Sequence, residues 1–246
     1  MKKKTKVYFV SDVHLGKDSE NSEIKKEKFV EFCKFIKGKA KKLYLVGDIF
    51  EFWFEYREVI PSEYFEALSV LRDLVLSGTE VVYIGGNHDF WKGNFLTDKI
   101  GIKVQFQSLK VNIDERRVLI HHGDGFLKST LDFSFAKKIL RNKVNIFLYK
   151  LVHPDIGIPF AKFIAKKIRN KTFKEVNLEE VKLKYREKAM EVLDNSEIDV
   201  IIMGHTHKED YYKKDDKLYI NLGCWEEDFN YAVFERKDFK LKKFKK

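Results

Sequence analysis

The sequence predicts an α/β fold built on mixed sheets. Two patterns carry that expectation. Across residues 1–90, short apolar runs bounded by Gly, Asn or Asp alternate with longer stretches of helical period, as βαβ units require. Across residues 197–246 strands predominate, so the sheets cannot be purely parallel. Composition agrees, since a chain of 246 residues with 44% hydrophobic and 35% charged residues has the makings of a packed core.

The elements follow in order. Val7–Val10 reads as the first strand. Phe29, Phe32, Cys33 and Ile36 mark the apolar face of a first helix, and Leu43–Val46 is the next strand. Phe65, Leu68, Leu71, Leu74 and Val75 mark a second helix, opened by Pro61 and closed by Gly78. Strands are then expected at Val81–Ile84, Ile102–Phe106 and Val118–Ile120, a helix from Val181 to Leu193, and strands at Val200–Met203, Leu218–Ile220 and Tyr231–Phe234. Three prolines and 13 glycines leave no room for a long linker, so a single domain over 1–246 is expected.

Residues 133–171 stand apart. They hold ten lysines and arginines against one acid, Asp155. Phe135, Ile139, Leu140, Phe147, Leu148 and Leu151 fall near helical spacing, and Phe160, Phe163, Ile164 and Ile168 do so again after Pro159. The segment reads as a basic helical insertion.

Several classes are excluded or disfavoured. The apolar run behind the lysine-rich start is four residues long, too short for a signal sequence. No stretch approaches the roughly 20 apolar residues of a membrane span. The two cysteines, Cys33 and Cys224, cannot build a disulfide framework, so cytosolic residence is expected. A net charge of +10 suits an anionic partner, whether a phosphorylated substrate, an acidic lipid surface or nucleic acid; a lysine-rich solvated surface is the plainer account of the terminal runs.

Five strand ends carry the chemistry. They run into Ser11-Asp12-Val13-His14, Gly47-Asp48, Gly85-Gly86-Asn87-His88-Asp89, His121-His122-Gly123-Asp124 and Gly204-His205-Thr206-His207. Ligands of open α/β sheets bind beyond the carboxyl ends of strands, so these five ends should converge. Carboxylate, imidazole and amide oxygen without thiolate suit Mn²⁺, Fe²⁺ or Zn²⁺ in a working site rather than a structural zinc. Asp12 and His14, two apart on an extended segment, should point to one side, and His205 and His207 repeat the spacing. Asp48 suits bridging two ions, and Gly47, Gly85, Gly86, Gly123 and Gly204 permit close approach. Of His121 and His122 only one should face the metals, and His121 is read as the satisfied neighbour.

That ordered set resembles the calcineurin-like metallophosphoesterases, over residues 6 to about 225. The resemblance implies a four-layer α/β/β/α sandwich. It assigns Asp12, His14, Asp48 and His207 to one metal and Asp48, Asn87, His122 and His205 to the other. It implies two-metal hydrolysis with in-line attack on phosphorus. His88 would stabilise the phosphoryl group or protonate the leaving oxygen, Asp89 would orient His88, and Asp124 would serve behind the ligands.

Three further stretches resemble one branch of that superfamily, the UDP-2,3-diacylglucosamine hydrolases of lipid A biosynthesis. They are Gly47-Asp48-Ile49-Phe50-Glu51-Phe52-Trp53-Phe54-Glu55-Tyr56, His153-Pro154-Asp155 within the insertion, and Leu222-Gly223-Cys224-Trp225. Many members carry Arg where this chain has His88, and a sub-branch keeps the His. The resemblance implies a UDP-linked, doubly acylated sugar as substrate, UMP and the diacylglucosamine 1-phosphate as products, Mn²⁺ as the metal, and work at the inner face of the cell membrane. Arg141, Asn142, Lys143, Lys166, Lys167 and Arg169 are candidates near the diphosphate or lipid headgroups, the alternative being an ordinary solvated helix face. Phe50, Trp53 and Tyr56 either line the substrate cleft or form a buried aromatic cluster. A broader phosphodiesterase or a nuclease is the runner-up, although no nucleic acid is expected, and a metal-free scaffold of the same fold is a remote third.

Overall fold

The computed structural model describes residues 4–16, 21–87, 93–127, 143–163 and 177–245. Two mixed sheets face each other. The first has six strands in the order β11-β10-β1-β2-β3-β4, with β1 Lys6–Val10, β2 Ala40–Val46, β3 Glu80–Ile84, β4 Lys103–Gln105, β10 Asn230–Glu235 and β11 Asp238–Lys243. The second has five in the order β5-β6-β7-β9-β8, with β5 Leu109–Ile113, β6 Arg116–Ile120, β7 Val200–Met203, β8 Glu209–Lys214 and β9 Lys217–Leu222. β1 to β4 run parallel, as do β6, β7 and β9, and the remaining pairs are antiparallel.

Strand alternation sorts each side chain to one of two faces. Val7 and Phe9 of β1, Tyr44 and Val46 of β2, and Val82 and Ile84 of β3 meet Val118, Ile120, Val200 and Ile202 between the sheets. Tyr8, Leu43, Leu45, Val81 and Tyr83 face the other way, onto α1 (Ser22–Ile36) and α2 (Phe65–Leu76). Leu119, Ile201 and Met203 of the second sheet face outward onto a later helix, Leu178–Asp194, through Tyr185, Ala189 and Leu193. The layering is therefore α/β/β/α, as the resemblance implies. Asn177 caps that later helix by accepting from the backbone N–H groups of Glu179 and Glu180.

Every expected strand is present, and three more accompany them. β5, β8 and β11 each lie at the edge of a sheet. Sequences such as Glu-Asp-Tyr-Tyr-Lys-Lys and Asp-Phe-Lys-Leu-Lys-Lys lack an apolar run because one side of an edge strand meets water. Pro61 opens a short 3₁₀ turn, Ser62–Tyr64, and α2 starts behind it.

Of the expected insertion, 143–163 is described. It contains α3 (Lys143–Lys150) and a second helical run over 154–163. Ile146, Tyr149 and Ala161 pack on Phe52, Phe54 and Tyr56, with the Phe54 and Tyr149 rings edge to face at 4.7 Å. Lys162 pairs with Glu63 just ahead of α2. The opposite side leaves Val144, Phe147, Leu148, Leu151, Val152, Ile156, Phe160 and Phe163 exposed.

Candidate metal centre

The carboxyl ends of β1, β2, β3, β6 and β7 come together at one edge of the sandwich. The loops after β1 and β2 are zipped together: Asp12 N–H donates to Gly47 O, His14 N–H to Asp48 O and Leu15 N–H to Ile49 O. The loops after β6 and β7 are tied by Gly204 N–H to His122 O. His205 N–H then donates to Asp12 Oδ2 at 2.9 Å, joining the two sheets.

The expected extended geometry at Asp12 and His14 is not what forms. Asp12 has φ 51° and His14 φ 47°, with Asp48 at 51°, His205 at 71° and His207 at 57°. Five ligand candidates thus occupy the left-handed region, which non-glycine residues rarely adopt and which costs about 1–3 kcal/mol each. A strand continued as extended backbone would carry its side chains along the sheet; the left-handed residue turns the chain, so both side chains reach one point. Backbone hydrogen bonds hold Asp12, His14 and Asp48 in place, and the Asp12 carboxylate holds the His205 N–H.

Two buried groups result. In the first, His14 Nε2 lies 3.3 Å from His207 Nε2. Asp12 Oδ1 stands 3.4 Å from the latter and 3.9 Å from the former. In the second, His122 Nε2 lies 3.2 Å from Asp48 Oδ2 and 3.2 Å from Asn87 Oδ1. The His205 ring stands 5.1 Å from the His122 ring, edge to face. Asp12, His14 and His207 form one set of ligand atoms close enough for a single ion, and Asp12, Asp48 and His122 form another. Close approach depends on glycine: a Cβ on Gly204 would stand 2.1 Å from Asp12 Oδ2, and one on Gly47 2.3 Å from His122 Nδ1.

The donor set fits divalent ions. His122 Nδ1 lies 2.9 Å from the Val46 carbonyl, so that nitrogen carries hydrogen and donates. Nε2 then turns its lone pair toward two oxygen acceptors. Lone pairs converging in a buried site call for a shared cation, a proton or a metal. The electrostatics respond accordingly. Burial opposes charge on His122, but Asp48 overrides it and raises the imidazole to about 10. Burial likewise opposes charge on Asp12, yet the hydrogen bond with His207 and the charges of His122 and His207 hold it at about 2. His207 is raised by Asp12 despite its burial. His205, buried and beside His122, falls to about 4 and is ready as a neutral ligand.

Other expected residues take defined places. His121 Nδ1 accepts from Gly123 N–H at 2.7 Å, which leaves His122 as the one facing inward. Phe50 is fully buried and Trp53 nearly so, each packed at a tilt against Tyr64 in the larger core. That burial favours the aromatic-cluster alternative over a cleft lining for both rings. His88, Asp89, Arg141, Asn142, Lys166, Lys167 and Arg169 lie outside the described residues, as does the side chain of Lys143.

Two groups near the ligands had no assigned part. Glu51 Oε2 stands 3.3 Å from His14 Nδ1. Asn221 donates to Gly204 O at 2.9 Å and accepts from Gly223 N–H, holding the loop that carries His205. A carboxylate inside an otherwise apolar run, Ile49 to Phe54, was the available signal for Glu51.

The calcineurin-like phosphoesterase family model matches residues 5–209. A UDP-2,3-diacylglucosamine hydrolase of Porphyromonas gingivalis is 28% identical over 248 residues, covering 94% of this chain and 95% of that protein. A protein of the same name from Histophilus somni is 29% identical over 223 residues, covering 89% and 92%. Among solved structures, an archaeal phosphodiesterase aligns with TM-score 0.47 and 14% identity over 97% of this chain and 99% of its own.

Proposed function

Because the chain belongs to the calcineurin-like phosphoesterase family and is therefore a hydrolase, we propose that it cleaves the diphosphate bond of UDP-2,3-diacylglucosamine. The products are UMP and 2,3-diacylglucosamine 1-phosphate. The observation that carries this reading is similarity to proteins named for that activity over 94% and 89% of the chain.

Two divalent ions, Mn²⁺ in this proposal, would activate water and offset phosphoryl charge. Asp12, His14 and His207 would hold one, His122, Asn87 and His205 would hold the other, and Asp48 would serve both. The chain's own part is to aim these side chains through strained, interlocked loops and to hold the outer nitrogen of His122 on the Val46 carbonyl. His88 serves as the proton donor or electrostatic partner of the leaving oxygen, with Asp89 orienting it. Arg141, Asn142, Lys143, Lys166, Lys167 and Arg169 supply polar and cationic groups for the diphosphate or for lipid headgroups.

The exposed apolar side of 143–163 supports the lipid part of the reading. Eight large apolar side chains face solvent there, within a stretch, 133–171, whose sequence holds ten lysines and arginines. Such a surface matches acyl chains above an anionic headgroup layer. No helix among the described residues is long and apolar enough to cross a membrane, so the proposed association is peripheral, at the cytoplasmic face.

The test is UMP release from UDP-2,3-diacylglucosamine in Mn²⁺, with Asp48→Ala and His122→Ala as controls. Release that disappears in both variants supports the proposal. Hydrolysis of a bis-aryl phosphate without UMP release would retain the phosphoesterase and sink the lipid substrate, leaving the broader phosphodiesterase reading that the +10 charge favours.

A further inference from the structure

We infer that Glu51 is the positioning residue of His14, and that together with Lys25 it makes the ion site at Asp12, His14 and His207 the tighter of the two. The inference rests on the two-ion reading above.

Glu51 follows Asp48 by three residues, in the run Ile49-Phe50-Glu51-Phe52-Trp53-Phe54. It is the sole charged residue of that run, and it is buried. A buried carboxylate is costly without a cation or donor to meet it. Glu51 Oε2 lies 3.3 Å from His14 Nδ1, and Glu51 N–H donates to Leu15 O at 2.9 Å. Backbone and side chain of Glu51 therefore both hold the segment that carries His14.

Lys25 holds the same residue through its backbone carbonyl. It projects from α1, is 1% exposed, and its Nζ donates to His14 O at 2.9 Å. His14 itself sits at φ 47°. A left-handed backbone that is strained by itself is thus fixed at its N–H by Asp48 O and at its carbonyl by Lys25, while the Glu51 carboxylate stands at ion-pair distance from its ring. With Nδ1 turned to Glu51, Nε2 is the nitrogen left for Asp12 and His207.

The second site is built differently. The outer nitrogen of His122 meets a neutral carbonyl, Val46 O, at 2.9 Å. A carboxylate behind a ligating imidazole fixes its tautomer and raises its basicity more than a carbonyl does. The two imidazoles therefore differ in what stands behind them, a carboxylate at His14 and a neutral carbonyl at His122.

The experiment is calorimetric titration of the full-length, metal-stripped chain with Mn²⁺ alone. Wild type should show two unequal sites. In Glu51→Gln the tighter site should weaken by about 10–100-fold while the weaker one keeps its affinity. The metal-free melting temperature, read alongside, separates this from a folding defect. If Glu51→Gln does not fold, the Glu51→Gln/Lys25→Met pair removes both buried charges and is titrated instead. Unchanged affinities in the variant, or equal weakening of both sites, would overturn the inference and leave the two-ion reading standing. A wild-type chain that takes up no Mn²⁺ would remove both.

Discussion

The Nε2 atoms of His14 and His207 face each other at 3.3 Å, although 193 positions separate the two residues along the chain. Each nitrogen also approaches Asp12 Oδ1, so three basic atoms share one buried space. Removing one of them should remove an ion. His207→Ala is expected to lose one bound divalent ion per chain and at least about 100-fold in activity. Elemental analysis after gel filtration checks the first figure and initial rates the second. A variant that retains two ions would contradict the ligand assignment.

Gly47 is expected to tolerate no side chain. Its φ is 81°, and a Cβ there would stand 2.3 Å from His122 Nδ1. Gly47→Ala meets roughly 1–2 kcal/mol of backbone strain. It also pushes His122 away from the Val46 carbonyl. Activity should therefore fall far more than stability does. Urea midpoints measured beside kcat/KM decide the matter, and full activity would show that the loop relaxes without moving His122.

The core under the site should be sensitive at Trp225. Its ring is fully buried against Phe29, Phe32, Phe229 and Phe244. Its backbone N–H donates to Asp12 O at 3.2 Å. Trp225→Ala is expected to cost about 3–5 kcal/mol in denaturant unfolding. Trp225→Phe keeps most of the packing and the backbone donor, so it should retain activity.

Glu235 links three strands and gives a pH signature. Lys242 on β11 and Lys6 on β1 each reach it at 2.5 Å, and they lower its carboxyl to about 2. An unfolded glutamate titrates near 4.3. The folded state therefore binds this proton more weakly than the unfolded state. Its contribution is complete above about pH 5 and is lost as pH falls through about 2. Glu235→Gln should be less stable than wild type at pH 7, with the difference closing between about pH 4.5 and pH 2. Thermal melts across that range test it, and a gap that persists at pH 2 would count against the ion-pair account.

Much of the fold is legible in the sequence because period and polarity are local. The runs at Val7–Val10 and Val200–Met203 are apolar on both faces, which marks central strands covered on each side. Edge strands do not advertise themselves in this way. Tyr211 and Tyr212 of β8 are exposed, and lysines fill the alternate positions of β11. Their strand state comes from hydrogen bonds to β9 and β10, which no local pattern encodes.

By itself the sequence determined the candidate ligand types, their order and their positions after strands, since carboxylate, imidazole and amide are properties of residues. Only the tertiary structure decided how they meet. It bends Asp12, His14, Asp48, His205 and His207 into left-handed conformations, with the loops after β1 and β2 zipped by backbone hydrogen bonds and the Asp12 carboxylate tied to the His205 N–H of the other sheet. It also chose what stands behind two of the imidazoles, Glu51 at His14 and the Val46 carbonyl at His122. The reason is physical: a hydrogen-bond partner depends on distance and direction between segments remote in sequence, whereas a side chain's chemistry depends on its own atoms.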